Sequence, residues 1–230
     1  MREYTIGTAT ELVASLTPAC IAEIEAVGTV RSFAPGEPIY RQGESAHSVY
    51  LLQAGRVKSV FADRGGNESL LRIHLPDSML GLTALGSGRI RDATAVALDP
   101  VRVTEIDAGT LESMIRQGNE LAPALIKLLV DRMSDFHHRV GHFLAQSVDY
   151  RLAVALLAIS RTDPARPDQP AWREIPLTHE ELAQLIGSRR PTVSSVLSRF
   201  RQAGLIERQA RTIRIADRGG LERLVAELET

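Results

Sequence analysis

The chain contains one cysteine, Cys20, so neither an internal disulfide nor a four-thiolate metal site can be assembled within it. It also lacks any run of about 18 uncharged apolar residues, which argues against a membrane span. The opening residues, MREYTIGTATELV, have no apolar core of the kind a secretory signal needs. These absences together point to the cytoplasm. An excess of charge of one sign is missing too, and the net charge of -1 gives no hint of nucleic acid. What is present is an apolar share of 44 % in 230 residues, enough for one large core or two domains. The neutral total conceals a local imbalance. Between Arg189 and Arg218 there are eight arginines against two acids, Glu207 and Asp217. The C-terminal part is therefore a basic module.

Periodicity divides the chain. Residues 17–26 read as a short helix that Thr17 can cap, with Pro18 in its first turn, and Cys20 reads as part of its buried face. Residues 30–107 contain short runs rich in branched or aromatic residues: VRSF, EPIY, SVYLLQAG, RVKSVFAD, ESLLRIHL, ATAVAL and VRVTEI. Many are separated by turn residues such as Pro35-Gly36, Gly65-Gly66-Asn67 and Asp99-Pro100, a spacing that predicts an antiparallel barrel or sandwich. Helical period returns at Ala108 and runs to about Ile159, with candidate breaks near Gly118-Asn119 and Gly141. Within it Leu121, Leu125, Leu128, Leu129 and Met133 fall largely on one side, which suits a homodimer seam or packing inside one subunit. Four prolines in RTDPARPDQPAWREIP, Arg161 to Pro176, predict a surface linker, with Trp172 as a candidate anchor.

The next segment, LTHEELAQLIGSRRPTVSSVLSRFRQAGLI, carries the function. Thr178 followed by Glu181 is a capping-box signal for a helix starting at His179, with Leu182, Leu185 and Ile186 facing inward. Gly187 and Ser188 end it. A second helix from Arg190 or Pro191 packs through Val193, Val196, Leu197 and Phe200, leaving Arg189, Arg190, Thr192, Ser194, Ser195 and Arg199 outside the core. Two short helices joined so tightly, with arginines at the start of the second, match helix-turn-helix geometry. LIERQ and TIRIA then predict a small hairpin, or wing, carrying Arg208, Arg211 and Arg214. Arginine forks onto phosphate or onto the O6/N7 edge of guanine, whereas serine and threonine read less selectively.

In this order the segments resemble the cAMP receptor protein/FNR (CRP/FNR) superfamily of bacterial transcription regulators, over nearly the whole chain. FAPGEPIYRQGESAHSVYLLQAGRVK resembles the sensor barrel, residues 108–145 the dimer-helix region, and Leu177 to Ile206 the DNA-binding signature. The resemblance implies that Arg190 reads the major groove, with Arg189, Arg199 and the wing arginines, Arg211 among them, on phosphates. The chain departs from the pattern at Pro191, where a glutamate often stands, and at Ser195, where many members carry a second reading arginine. The family's best-known half-site therefore does not transfer unchanged.

The effector question falls on DSMLGLTALGSGRIRDATAVAL. In nucleotide-binding relatives a glycine-glutamate pair holds the ribose, and an arginine followed by serine or threonine holds the cyclic phosphate. Here Gly81 and Arg91 match, but Leu82 and Asp92 stand at the other two positions. Leu82 cannot bind a sugar hydroxyl, and Asp92 puts negative charge beside a phosphate. The dimer-helix residues that contact adenine in relatives correspond to Phe136 and His137. Arg91 could equally pair with Asp92 or another acid in a structural role. One cysteine does not supply the several ligands, typically four, of FNR-type iron-sulfur sensing. His137, His138 and His142 are suggestive of haem or metal, but histidines there are read as ordinary polar or partly buried helix residues.

The expected fold is α+β: a cyclic-nucleotide-binding-like antiparallel β-barrel (1–107), a dimerisation helix region (108–145) and a winged helix-turn-helix (146–230). The expected function is dimeric, sequence-specific regulation of transcription at an inverted repeat in double-stranded DNA, without cAMP. A cyclic-nucleotide- or other small-ligand-responsive regulator is the alternative. No cofactor, metal or membrane is called for, and RNA polymerase is the implied partner of an activator. Catalysis has no recognisable ligand set to support it, and His179-Glu180-Glu181 is explained by the capped helix it opens.

Overall fold

The structure, a computed structural model, describes residues 16–66, 68–118, 120–160, 174–209 and 212–228. The chain divides into two compact units, residues 13–134 and residues 135–230.

The first unit opens with helix α1, Pro18–Val27, whose N-cap Thr17 accepts from the Cys20 amide. Eight strands follow: β1 (Thr29–Phe33), β2 (Pro38–Tyr40), β3 (Ser48–Ala54), β4 (Val57–Ala62), β5 (Glu68–His74), β6 (Met79–Leu80), β7 (Thr94–Ala97) and β8 (Val101–Asp107). They form two antiparallel four-stranded sheets, in the orders β1-β8-β3-β6 and β2-β7-β4-β5. One apolar cluster, including Tyr40, Tyr50, Leu52, Leu80, Ala95 and Val103, draws on strands of both sheets. Another joins Cys20 and Ile24 of α1 to Val49, Leu51, Met79 and Ile106. The seven expected runs are strands, while the two-residue β6 carried no period of its own.

Asp107 caps α2 (Ala108–Arg116) by accepting from the Thr110 amide. Gly118, at φ +76, lies between α2 and α3 (Leu121–Ala145). The expected break near Gly141 is absent, because one glycine costs a helix only about 1 kcal/mol. The chain instead breaks after Ala145, and Ser147 caps a new helix, α4 (Val148–Ile159), through the Tyr150 amide. The apolar residues of α3 also serve two surfaces rather than one. Leu121, Leu125 and Leu128 complete the core built on α1, whereas Ile126, Leu129, Val130 and Met133 are all at least half exposed.

In the second unit α4 is almost wholly buried from Tyr150 to Ile159. It packs against α7 (Arg218–Leu228), a helix the sequence reading did not single out. Arg218 of that helix donates to the carbonyls of Leu157 and Ser160, closing the C-terminus of α4. Helices α5 (His179–Leu185) and α6 (Arg190–Gln202) precede the hairpin β10 (Ile206–Gln209) and β11 (Thr212–Ile215). A third short strand, β9 (Glu174–Ile175), pairs with β11. These two residues were expected in the linker; its residues 161–173, with Trp172, lie outside the described residues.

Candidate functional site

The helix-turn-helix is built from its caps inward. Thr178 accepts from the Glu181 amide while the Glu181 carboxylate accepts from the Thr178 amide at 2.8 Å, so the capping box is closed. Leu182, Ala183, Leu185 and Ile186 are buried beneath it. Gly187 takes the left-handed conformation, φ +61, that turns the chain, and the Ser188 amide returns to the Ala183 carbonyl. Arg189 enters α6 in extended conformation, with Pro191 in the first turn. Val193, Val196, Leu197 and Phe200 are buried. Arg189, Arg190, Pro191, Thr192, Ser195 and Arg199 are exposed or partly so, on the side away from that core.

Two residues of this set are less free than the sequence suggested. Ser194 was expected on the exposed part of α6 but is half-buried, its hydroxyl 2.8 Å from Nδ1 of His179. It joins the two helices at the edge of a groove of about 240 Å³ that Ser198, Arg201 and Glu207 also line. Arg199 donates through Nη2 to Asp149 in the first turn of α4, at 2.5 Å. Its Nη1 lies 3.4 Å from the Ser195 hydroxyl, one turn back on the same helix. His179 and Asp149 were missed as partners because neither contact is local in sequence. In the wing, Arg214 and Glu207 approach to 3.9 Å. Arg211 lies outside the described residues.

In the first unit the structure brings Gly81, Leu82 and Arg91 together around the barrel interior. Arg91 is 3 % exposed. It donates to the Gly81 carbonyl at 2.9 Å and the Ser48 carbonyl at 2.7 Å, and stacks 4.3 Å above the Tyr40 ring. A Cβ on Gly81 would stand 2.3 Å from Nη1 of Arg91, and φ is +71 there, so both space and backbone call for glycine. The suggested pairing of Arg91 with Asp92 does not form, since the guanidinium goes to backbone carbonyls and Asp92 faces solvent. Leu82 begins a short 3-10 helix, Leu82–Leu85, and packs on the apolar core. Burial pushes the Tyr40 hydroxyl up to about 12, against the lowering effect of Arg91. Burial also raises Tyr50, reinforced by Glu105, which accepts from its hydroxyl at 3.2 Å. Phe136 and His137 are exposed on α3, in the other unit. The side chains of His138 and His142 are outside the description. Among the described residues no group of three or more His, Cys, Asp or Glu could hold a metal ion. No described helix is long and apolar enough to cross a membrane.

Residues 30–118 match the cyclic nucleotide-binding domain model and residues 150–224 the Crp-like helix-turn-helix domain model. The chain belongs to the CRP/FNR family of transcription regulators. It is 28 % identical over 191 residues to transcriptional activator protein FnrA of Stutzerimonas stutzeri, covering 83 % of this chain and 78 % of that one. It is 27 % identical over 206 residues to the CRP-like cAMP-activated global transcriptional regulator of Mycobacterium tuberculosis, covering 90 % and 92 %. Among solved structures, a CRP/FNR-family regulator from Thermus thermophilus superposes with a TM-score of 0.69 at 27 % identity, over 87 % of this chain and all of that one. As a CRP/FNR regulator the protein binds DNA through the helix-turn-helix described above, and its α+β fold is the family's. The relatives named are transcription regulators rather than enzymes.

Proposed function

We propose that this CRP/FNR regulator works in the cytoplasm as a homodimer that recognises an inverted repeat in double-stranded DNA without cyclic nucleotide. Its organisation is a barrel to residue 107, a dimerisation region over 108–145 and a DNA-binding domain from 146. The exposed stripe Ile126, Leu129, Val130 and Met133 supports pairing through α3, because apolar residues at helical spacing gain by leaving water together. Two-fold symmetry then sets half-sites about one turn, or 34–36 Å, apart. Arg190 discriminates bases, Thr192 and Ser195 lie beside it on the exposed part of α6, and Arg189 and Arg211 contact phosphates. RNA polymerase is the further partner if the protein activates.

The single observation that carries independence from cAMP is the placement of Arg91. The cation that matches the phosphate arginine of relatives directs Nη1 and Nη2 to carbonyls of its own barrel and lies on Tyr40. Leu82, where relatives place the ribose carboxylate, packs on the core instead. A cyclic-nucleotide-responsive regulator is the second reading, favoured by the match of residues 30–118 to the nucleotide-binding domain and by the relative named as cAMP-activated.

The test is to pass ligand-stripped protein over a genomic fragment library, sequence what it retains, and repeat with cAMP. A shared inverted repeat recovered without additive is expected. Enrichment only with cAMP would replace this reading by the second one.

A further inference from the structure

Resting on the DNA-binding reading above, we propose that Asp149 is a positioning residue for DNA recognition. It holds Arg199 in a fixed pose over Ser195 and so raises discrimination between sequences while lowering affinity for DNA in general.

Asp149 lies two residues after the Ser147 cap, in the first turn of α4, where a carboxylate is favoured by the amides and dipole of the helix end. From Tyr150 onward that helix is nearly all buried, so the carboxylate projects from a helix packed into the core. Arg199 leaves the exposed part of α6 and reaches back toward the N-terminus of its helix, as long helical side chains do. Its guanidinium is held at two points, Oδ1 of Asp149 and the hydroxyl of Ser195. The two contacts use one N–H on each terminal nitrogen and leave the other donors to a ligand. More than half of the Arg199 side chain is exposed.

An arginine that serves only as charge for phosphates gains nothing from such a restraint. A carboxylate beside it cancels part of its charge and repels the DNA backbone, so every DNA sequence is bound less tightly. A planar fork that must meet its acceptors in one orientation does gain, because its side chain is already ordered before binding. The anchored Asp149, the contact to Ser195 and the free donors fit the second role. Arg199 thus passes from the general phosphate contact expected from sequence to a held, orientation-dependent contact.

The experiment measures dissociation constants of the full-length protein for its selected repeat and for a scrambled fragment, at several salt concentrations. Wild type is compared with Asp149→Asn and Asp149→Glu. Asp149→Asn is expected to tighten binding to scrambled DNA, steepen the salt slope by up to about 0.9, and reduce discrimination roughly three- to fivefold. Asp149→Glu, which keeps the charge and can still reach, is expected to recover most of the discrimination. A parallel gain on both fragments with unchanged discrimination would overturn the proposal, leaving Asp149 a mere surface charge. So would a loss on both fragments accompanied by a lower melting temperature, the mark of a structural role. Wild-type protein that prefers no fragment at all would instead refute the underlying DNA reading, and this proposal with it.

Discussion

Replacing Arg91 with methionine keeps much of the side chain's volume and removes its charge, which separates a structural arginine from a ligand-binding one. The losses follow from its contacts. Two charge-assisted hydrogen bonds, to the Gly81 and Ser48 carbonyls, contribute about 1.5–3 kcal/mol each. The stacking of the guanidinium on Tyr40 adds about 2 kcal/mol in a desolvated setting. Opposing them, the substitution removes a buried charge and its Nε, which has no partner, at a relief of several kcal/mol. The Gly81 carbonyl also keeps the Ala84 amide as a donor. The balance is a local destabilisation of about 2–3 kcal/mol.

Hydrogen exchange read along the barrel is the suitable assay. Amides of β3 and β6, which flank the two carbonyl acceptors, are expected to exchange roughly 30- to 150-fold faster in Arg91→Met, the equivalent of that free energy. Binding to the selected repeat is expected to stay within about twofold of wild type, with or without cAMP. Unchanged exchange combined with lost DNA binding or a lost response to cAMP would refute the reasoning, because Arg91 would then be serving a ligand rather than its own barrel.

Arg190→Ala is expected to cost about 1–3 kcal/mol of preference for the selected repeat in fluorescence anisotropy, and an equal loss on scrambled DNA would rule out base reading there. Leu129→Glu places a charge in the exposed stripe of α3 and is expected to give monomers in sedimentation, together with loss of binding to the two-sided repeat but little change in the barrel's melting. Tyr40 titrates at about 12 in the folded chain against an ordinary 10.0. A raised folded value means its contribution is complete below the unfolded value and is lost as pH climbs from 10 toward 12. Ultraviolet titration should therefore find its ionisation delayed past that of an exposed tyrosine and accompanied by opening of the barrel.

What was legible in the sequence is what is made locally. The capping box needs only Thr178 and Glu181, three residues apart, and the apolar spacing from Val193 to Phe200 defines one face of one helix. Strand runs flanked by Gly-Asn or Asp-Pro turns carry their own boundaries. The two-residue strands β6 and β9 are too short to show a period, and their pairing is decided by partners far away in the chain. Periodicity likewise gave α3 an apolar side but not its division, since the same alternation serves a face that meets its own core and one left in water. At the site the exposure of Arg190 followed from helical spacing. The ties of Ser194 to His179, of Arg199 to Asp149 and of Arg91 to two carbonyls did not, because each joins residues at least ten positions apart.

These ties change what the departures from the family pattern mean. Leu82 and Asp92 read singly as two lost ligand groups, which would leave Arg91 as a stranded cation in the barrel. The structure instead places that cation in a use of its own: it fastens Gly81 at the start of the 3-10 helix to Ser48 at the start of β3, over a tyrosine whose burial favours its neutral form. In relatives that hold a nucleotide, the ligand would supply the anion for this arginine. Here carbonyl dipoles and an aromatic face supply negative potential to it. Two of its five N–H groups are committed to the barrel, so an effector that used Arg91 would meet it through the remaining donors, Nε among them, in an orientation the barrel has already set.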